Sequence, residues 1–230
     1  MVAIYQIELT NHCNSTCSWC GNSNMKRTRG FMNWETFKHT VYYLKWEPPP
    51  GGVVGLHHFG ESLLHPQLPD FLEYLKHNNI NWRLSTNGRL LKQSEIRKML
   101  LKYTGLLVIS IENGADLEDV NTLILEKEQQ ASQLQILVQT FGDTDLHRLV
   151  PGKYEIFRVD RHSWAKSGHG DYTRCCFLLE DWVCVLWDGT IVSCCMDMEG
   201  EAKLGHITGL RNRNYPWRSC RTCEVVLKCR

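Results

Sequence analysis

Cysteine is the residue type here whose spacing most directly implies chemistry. The 230-residue chain has eleven cysteines, three between positions 13 and 20 and the other eight between 175 and 229. An odd number of cysteines in two separated groups is a poor disulfide framework and a good pair of metal or cluster sites. The first group, Cys13-x3-Cys17-x2-Cys20, can wrap three thiolates around one face of an iron-sulfur cube and leave the fourth iron open. An open iron can take an exogenous bidentate ligand, such as the amino and carboxylate groups of a methionine moiety. The alternatives are a structural zinc site, which wants four closed ligands and for which His12 is the only nearby fourth, or buried free thiols.

The elements that must position these cysteines follow from hydrophobic periodicity. The sequence predicts strands over Ile4–Leu9, Val53–Phe59, Ile80–Ser85, Leu106–Ile111, Leu134–Thr140 and Tyr154–Val159. Helical faces fall between them: Phe37, Val41 and Leu44 after an Asn33 cap, then Leu68, Phe71, Leu72 and Leu75, then Ile96, Met99, Leu100 and Tyr103, with a further helix near 117–130. Strands separated by helices of this length form right-handed βαβ units and a parallel sheet, so the fold class is α/β, an open or partial barrel. In such folds chemistry gathers at the C-terminal ends of the strands, and the polar motifs below all fall at predicted strand ends. After about residue 160 the pattern changes. Val183–Leu186 and Ile191–Ser193 flank Trp187-Asp188-Gly189-Thr190, an Asp-Gly hairpin signal, so a small cysteine-rich β appendage is expected. The division is 1–160 for the barrel and 161–230 for the appendage.

Bulk properties narrow the function classes. The 26 basic and 25 acidic residues leave a net charge of +1 without long like-charged runs, so no nucleic-acid or membrane field dominates. No apolar stretch approaches the roughly 20 residues a membrane span needs, and the first residues resemble neither a signal nor a transit peptide. A cytoplasmic protein without a membrane partner is expected.

The spacing Cys13-Asn14-Ser15-Thr16-Cys17-Ser18-Trp19-Cys20, with an aromatic before the last cysteine, resembles the hallmark of the radical S-adenosylmethionine (SAM) superfamily. Further motifs resemble the family's at successive strand ends. Phe59-Gly60-Glu61 is similar to the Gly-Gly-Glu motif that binds the methionine amino group, with Phe59 departing from the commonest pattern. Ser85-Thr86-Asn87-Gly88 resembles the Thr-Asn-Gly segment, and Ser110-Ile111-Glu112 the ribose-contacting Ser-Ile-Asp element. The resemblance implies a (β/α)6-type partial barrel, a 4Fe-4S cluster on Cys13, Cys17 and Cys20, and S-adenosylmethionine as cofactor. The cofactor would be bound by Trp19 beside the adenine, Phe59, Gly60, Glu61, Ser85, Asn87, Ser110 and Glu112. It further implies a one-electron donor such as flavodoxin or ferredoxin, reductive cleavage of the cofactor, and hydrogen abstraction by a 5'-deoxyadenosyl radical.

The second cysteine group resembles the auxiliary-cluster extension of the SPASM and shorter twitch subfamilies. Gly189-x4-Cys194 follows Cys176, and Cys220-x2-Cys223 comes later. Cys176, Cys194, Cys220 and Cys223 would hold a second 4Fe-4S cluster, although four closed cysteines are also a zinc set. Cys229 satisfies the next SPASM spacing and the sequence stops one residue later, which favours the twitch form with one auxiliary cluster. Cys175 and Cys195 adjoin expected ligands, while Cys184 lies in a strand as a small buried residue.

Arg158, Arg161, His162 and Lys166 lie between barrel and appendage and are candidate substrate contacts or acid-base groups, with a solvated connector as the other reading. Size and layout resemble the twitch dehydrogenases of aminoglycoside biosynthesis. That resemblance implies oxidation of a small polyol or aminosugar-like molecule. Modification of a ribosomally made peptide is the alternative within the superfamily, and a non-catalytic iron-sulfur or zinc protein is the alternative outside it.

Overall fold

The computed structural model describes residues 3–17, 20–111, 117–141, 148–159, 182–193, 195 and 197–209. Its elements run β1 (Ala3–Ile7), α1 (Trp34–Trp46), β2 (Val53–Gly55), α2 (Leu68–His77), β3 (Asn81–Thr86), α3 (Ser94–Leu100), β4 (Leu106–Ile111), α4 (Leu117–Gln129), β5 (Gln135–Phe141), β6 (Glu155–Val159), β7 (Trp182–Val185), β8 (Thr190–Val192) and β9 (Lys203–His206). The described strands form one sheet in the order β6-β5-β4-β3-β2-β1-β7-β8-β9. Pairing is parallel from β6 through β1 to β7 and antiparallel through β8 and β9.

Local sequence explains the helices. The Asn33 side chain accepts the Thr36 N–H at 2.8 Å and caps α1, which buries Phe37, Val41 and Leu44 and gives way to the proline run that follows Glu47. Pro69 sits in the first turn of α2, whose Leu68, Phe71, Leu72 and Leu75 are buried. The Phe37 and Phe71 rings stack with centroids 4.0 Å apart, which joins α1 to α2. On the sheet, Leu84, Leu107, Ile109 and Val138 are fully buried in the same core as these helices. The alternate positions Arg83, Ser85, Ser110 and Gln139 are only half-buried. They define the sheet face turned away from the helical core.

Two features differ from the sequence expectation. β2 stops at Gly55 instead of running to Phe59; Leu56 still donates to the Arg83 carbonyl, and His57–Gly60 then leave the sheet for a 3-10 turn at Ser62–Leu64. The Phe59-Gly60-Glu61 motif therefore lies past the end of the strand, not at its last residues. The Asp-Gly hairpin forms as read, with Gly189 at φ +85°, but its first strand β7 pairs in parallel with β1 and so continues the barrel sheet. Among the described residues no helix is long and apolar enough to cross a membrane.

Candidate active site

β1 delivers the chain to the cysteine loop, and a polar scaffold around Asn11 sets the path of that loop. Asn11 is fully buried; its Oδ1 accepts the Gly30 N–H and its Nδ2 donates to the Thr28 carbonyl, both at 2.8 Å. Thr10 Oγ1 donates to the Gly30 carbonyl at 2.7 Å. The returning segment is thereby clamped against the segment that enters the loop. Buried Asn22 donates from Nδ2 to the Asn11 and Phe59 carbonyls. The Arg29 guanidinium donates to the carbonyls of Asn11 and Asn22 and to Asn22 Oδ1. Sequence reasoning passed over these residues; the available signal was a cluster of amides flanking the cysteines.

Within the loop, the Cys20 N–H donates to the Cys17 carbonyl at 3.0 Å, and Ser15 Oγ lies 3.2 Å from Cys17 Sγ. Burial pushes the Cys13 and Cys20 thiols up, against opposing backbone hydrogen bonds, and the charge on Cys17 adds to the rise at both. Cys13 and Cys20 are thus near enough to Cys17 for a charge there to act on them, and a bound cationic centre would offset the rise at both. Among the described residues no three Cys, His, Asp or Glu side chains converge as ligands of a single ion. A cubane takes each thiolate on a different iron and needs no such convergence. The donor set therefore fits a three-cysteine cluster.

Glu61 is brought to the same place. Its backbone N–H donates to the His12 carbonyl at 2.8 Å, one residue before Cys13. Its side chain, 2% exposed, accepts the N–H of Leu63 at Oε1 (3.1 Å) and of Asn87 at Oε2 (2.8 Å). Burial raises its carboxyl to about 7 despite the hydrogen bonds from Asn87, Leu63 and Thr86. A carboxyl poised in this way is stabilised as an anion by an incoming ammonium. Asn87 Nδ2 donates to Asn14 Oδ1 at 2.8 Å and lies 3.8 Å from Cys13 Sγ. Gly60 is required by close packing: a Cβ there would lie 2.8 Å from the Thr10 carbonyl carbon and 2.9 Å from Asn11 Cα. That close approach is to the chain's own backbone. The Phe59 carbonyl already accepts from Asn22 and keeps one lone pair for another donor.

The structure thus gathers Cys13, Cys17, Cys20, Gly60, Glu61 and Asn87 at the rim. Ser85 lies two residues before Asn87 on β3. Ser110 follows Ile109, the register partner of Thr86. Arg158 lies on β6 opposite Thr140. Trp19, Glu112, Arg161, His162, Lys166, Cys175, Cys176, Cys194, Cys220, Cys223 and Cys229 lie outside the described residues. Cys184 is buried and donates from Sγ to Gln6 Oε1 at 3.5 Å, and Cys195 packs against the small cluster that contains it.

Beside the loop is a second buried centre that the sequence reading did not single out. Glu8, fully buried at the end of β1, receives both Arg27 Nη atoms at 2.7 and 2.8 Å, the Trp187 N–H at 3.2 Å, and His58 Nδ1 at 3.3 Å. Burial opposes its ionisation, but His58 and Arg27 outweigh it and hold the carboxyl at about 2. Arg27 Nε also donates to the Met198 carbonyl, and Glu199 accepts the backbone N–H groups of Lys26 and Arg27. This centre ties the return limb of the cysteine loop to the C-terminal hairpin.

The sequence model of the Radical SAM superfamily matches residues 7–127, just over half of the chain. The chain belongs to the radical SAM superfamily. It is an enzyme of that type, and the family implies S-adenosylmethionine and a 4Fe-4S cluster. Among solved structures it is similar to BtrN in complex with AdoMet and 2-DOIA, at 17% identity and a TM-score of 0.61 over 90% of this chain and 79% of that one. It is also similar to Streptococcus suis SuiB bound to S-adenosylmethionine, at 10% identity and a TM-score of 0.62 over 90% of this chain and 64% of that one. SuiB bound to its precursor peptide SuiA matches at 11% identity and a TM-score of 0.57, over 89% of this chain and 62% of that one. The chain spans under two-thirds of SuiB, and both likenesses are of fold. No curated protein matches the chain in sequence.

Proposed function

We propose that the chain cleaves S-adenosylmethionine reductively at a cluster held by Cys13, Cys17 and Cys20 and abstracts a hydrogen atom from an organic substrate. The observation that supports this reading most strongly is the meeting of Glu61, Asn87 and Cys13 at one rim, from three separate segments. When bound, the cluster and cofactor supply one-electron reduction of a sulfonium and a carbon-centred oxidant. Glu61 would receive the methionine ammonium, and the Phe59 carbonyl would add an acceptor. Gly60 keeps the segment tight against Thr10. Asn87 would orient the cysteine loop through Asn14. Trp19, Ser85, Ser110 and Glu112 would complete the nucleoside contacts.

Residues 161–230 would form a twitch-like unit with a second 4Fe-4S cluster on Cys176, Cys194, Cys220 and Cys223. Such a cluster could accept the electron of a substrate radical, which suits oxidation of a small hydroxylated molecule, with Arg158, Arg161, His162 and Lys166 as substrate contacts. A flavodoxin or ferredoxin would supply the first electron in a reducing cytoplasm. The fold likeness to BtrN, crystallised with AdoMet and 2-DOIA, favours a small molecule. The likeness to SuiB, crystallised with its precursor peptide SuiA, keeps peptide modification as the second reading.

The test is formation of 5'-deoxyadenosine by the anaerobically reconstituted, reduced protein, with Cys13, Cys17 and Cys20 replaced by alanine as the control. Product with the parent chain and none with the variant is expected. Absence of product from the fully iron-loaded parent chain overturns the reading in favour of a non-catalytic protein.

A further inference from the structure

Two N–H donors on the side of the sheet turned away from the helical core have no acceptor among the described residues. On β1, Gln6 Oε1 takes the Cys184 S–H, which orients its amide so that Nε2 donates to His57 Nε2 at 2.9 Å. With Nε2 as acceptor, the neutral His57 ring carries its proton on Nδ1. That Nδ1 is buried and has no partner among the described residues. Burial, then the neighbouring Arg83 and His58, lower His57 to about 3, so the ring is neutral at physiological pH.

Arg83 supplies the second donor. Its guanidinium lies over the Tyr5 ring, 4.5 Å from the centroid, and Tyr5 stacks on Trp182. Among the described residues, Arg83 Nε is buried without a hydrogen-bond partner and no carboxylate forms an ion pair with Arg83. The carboxylate that follows β1, Glu8, is already committed to Arg27, His58 and the Trp187 N–H. A third atom joins this set: His58, with its side chain 1% exposed, leaves Nε2 without a partner among the described residues.

Gly55 brings the donors to one point. A Cβ at Gly55 would lie 3.3 Å from His57 Cε1, 3.4 Å from Arg83 Nε and 3.0 Å from Gln6 Cγ. The three side chains therefore converge beside a position that the sequence leaves without a side chain. The Arg83 Nε–H and the His57 Nδ1–H, both buried without acceptors among the described residues, cost free energy unless an anion or strong acceptor binds them.

We propose that Arg83 and His57, beside Gly55, form an anion-binding position that takes a carboxylate or phosphate group of the enzyme's substrate. The assignment to substrate rests on the proposed radical reading. The depth of the site separates it from the cofactor rim: Arg83 lies four residues before Asn87, about 13 Å back at the rise of a β-strand. The substrate class narrows to hydroxylated molecules that carry a negative charge, because a cationic aminosugar would meet the positive Arg83 guanidinium.

The test is isothermal titration of the reconstituted full chain with inorganic phosphate and with acetate, at constant ionic strength. Saturable one-site binding is expected. Loss of one charged hydrogen bond predicts that Arg83→Gln binds about tenfold or more weakly, with Arg83→Lys in between. Gly55→Ala crowds the same point and gives a second variant should Arg83→Gln fail to fold by circular dichroism. No binding by the parent chain, or equal binding by the folded variants, overturns the proposal. It also fails if S-adenosylmethionine displaces phosphate and Arg83→Gln weakens both equally, because the anion is then the cofactor's carboxylate. Phosphate binding without 5'-deoxyadenosine formation removes the radical reading and keeps the anion site, whereas the reverse result removes only the anion site.

Discussion

Glu61 Oε2 accepts the backbone N–H of Asn87 at 2.8 Å, so the segment that leaves β2 and the end of β3 share one buried carboxyl. The bond links the expected ammonium-binding group to a residue whose Nδ2 lies 3.8 Å from Cys13 Sγ. It also makes the charge of Glu61 a structural matter before any cofactor binds.

The first prediction concerns pH. The Glu61 carboxyl rises from 4.5 to about 7 on folding, with burial as the main cause. A raised folded value means stability is full below the unfolded value and is lost as pH climbs through about 7. Urea denaturation of the cofactor-free protein should show a decline of about 3 kcal/mol between pH 4.5 and 8, absent in Glu61→Gln. S-adenosylmethionine should bind more tightly over the same rise in pH, because its ammonium prefers the carboxylate. A flat stability profile in the parent chain would count against the buried carboxyl.

Gly60→Ala should destabilise the chain by about 2 kcal/mol or more, since the new methyl meets backbone atoms of Thr10 and Asn11 rather than a movable side chain. Gly209→Ala meets nothing within 4 Å and serves as the control in the same urea titration.

Arg27→Met should be costly, because it leaves Glu8 buried with its two-pronged guanidinium partner gone. Loss of one partner from such a pair typically costs about 3–5 kcal/mol, and Glu8→Gln combined with Arg27→Met should recover part of it. A double-mutant cycle by chemical denaturation measures the coupling. Glu8 also sets acid behaviour: its depressed carboxyl contributes stability above the unfolded value that is lost as pH falls toward about 2.

Replacing Cys13, Cys17 and Cys20 together with alanine should leave iron and acid-labile sulfide on the anaerobically purified chain, held by the second cysteine group. Residual zinc in place of iron would make that group a structural zinc site, and neither metal would remove it as a ligand set.

Much of the fold was legible because it is written in local periodicity. Asn33 and the Phe37, Val41 and Leu44 face specify α1 within a dozen residues, and the Leu68, Phe71, Leu72 and Leu75 face does the same for α2. β2 is shorter than its sequence suggests because His57-His58-Phe59 extends an apolar-looking run, whereas the imidazoles turn toward Gln6 and Glu8. The alternation through Tyr5, Gln6, Ile7, Glu8 and Leu9 was visible, but alternation alone does not say whether the polar side meets water or the inside of a barrel. Here it meets the inside, where Glu8 and Gln6 anchor their polar partners. The cysteine motif was visible as spacing, while the Asn11, Asn22 and Arg29 scaffold depends on contacts between segments that have no mutual signature in sequence. The pairing of β1 with β7 spans more than 170 positions and is equally silent.

That pairing sets an order of events during synthesis. β1 leaves the ribosome more than 170 residues ahead of its second neighbour, Trp182–Val185. Until then one edge of β1 presents unpaired backbone groups beside the cysteine loop, a template for contact with other chains. Cluster insertion into a nascent chain would occur while Glu8 still lacked the Trp187 N–H and Arg27 lacked Met198. Yield of iron-loaded protein in cells should therefore track the rate at which the segment between β1 and β7 is made.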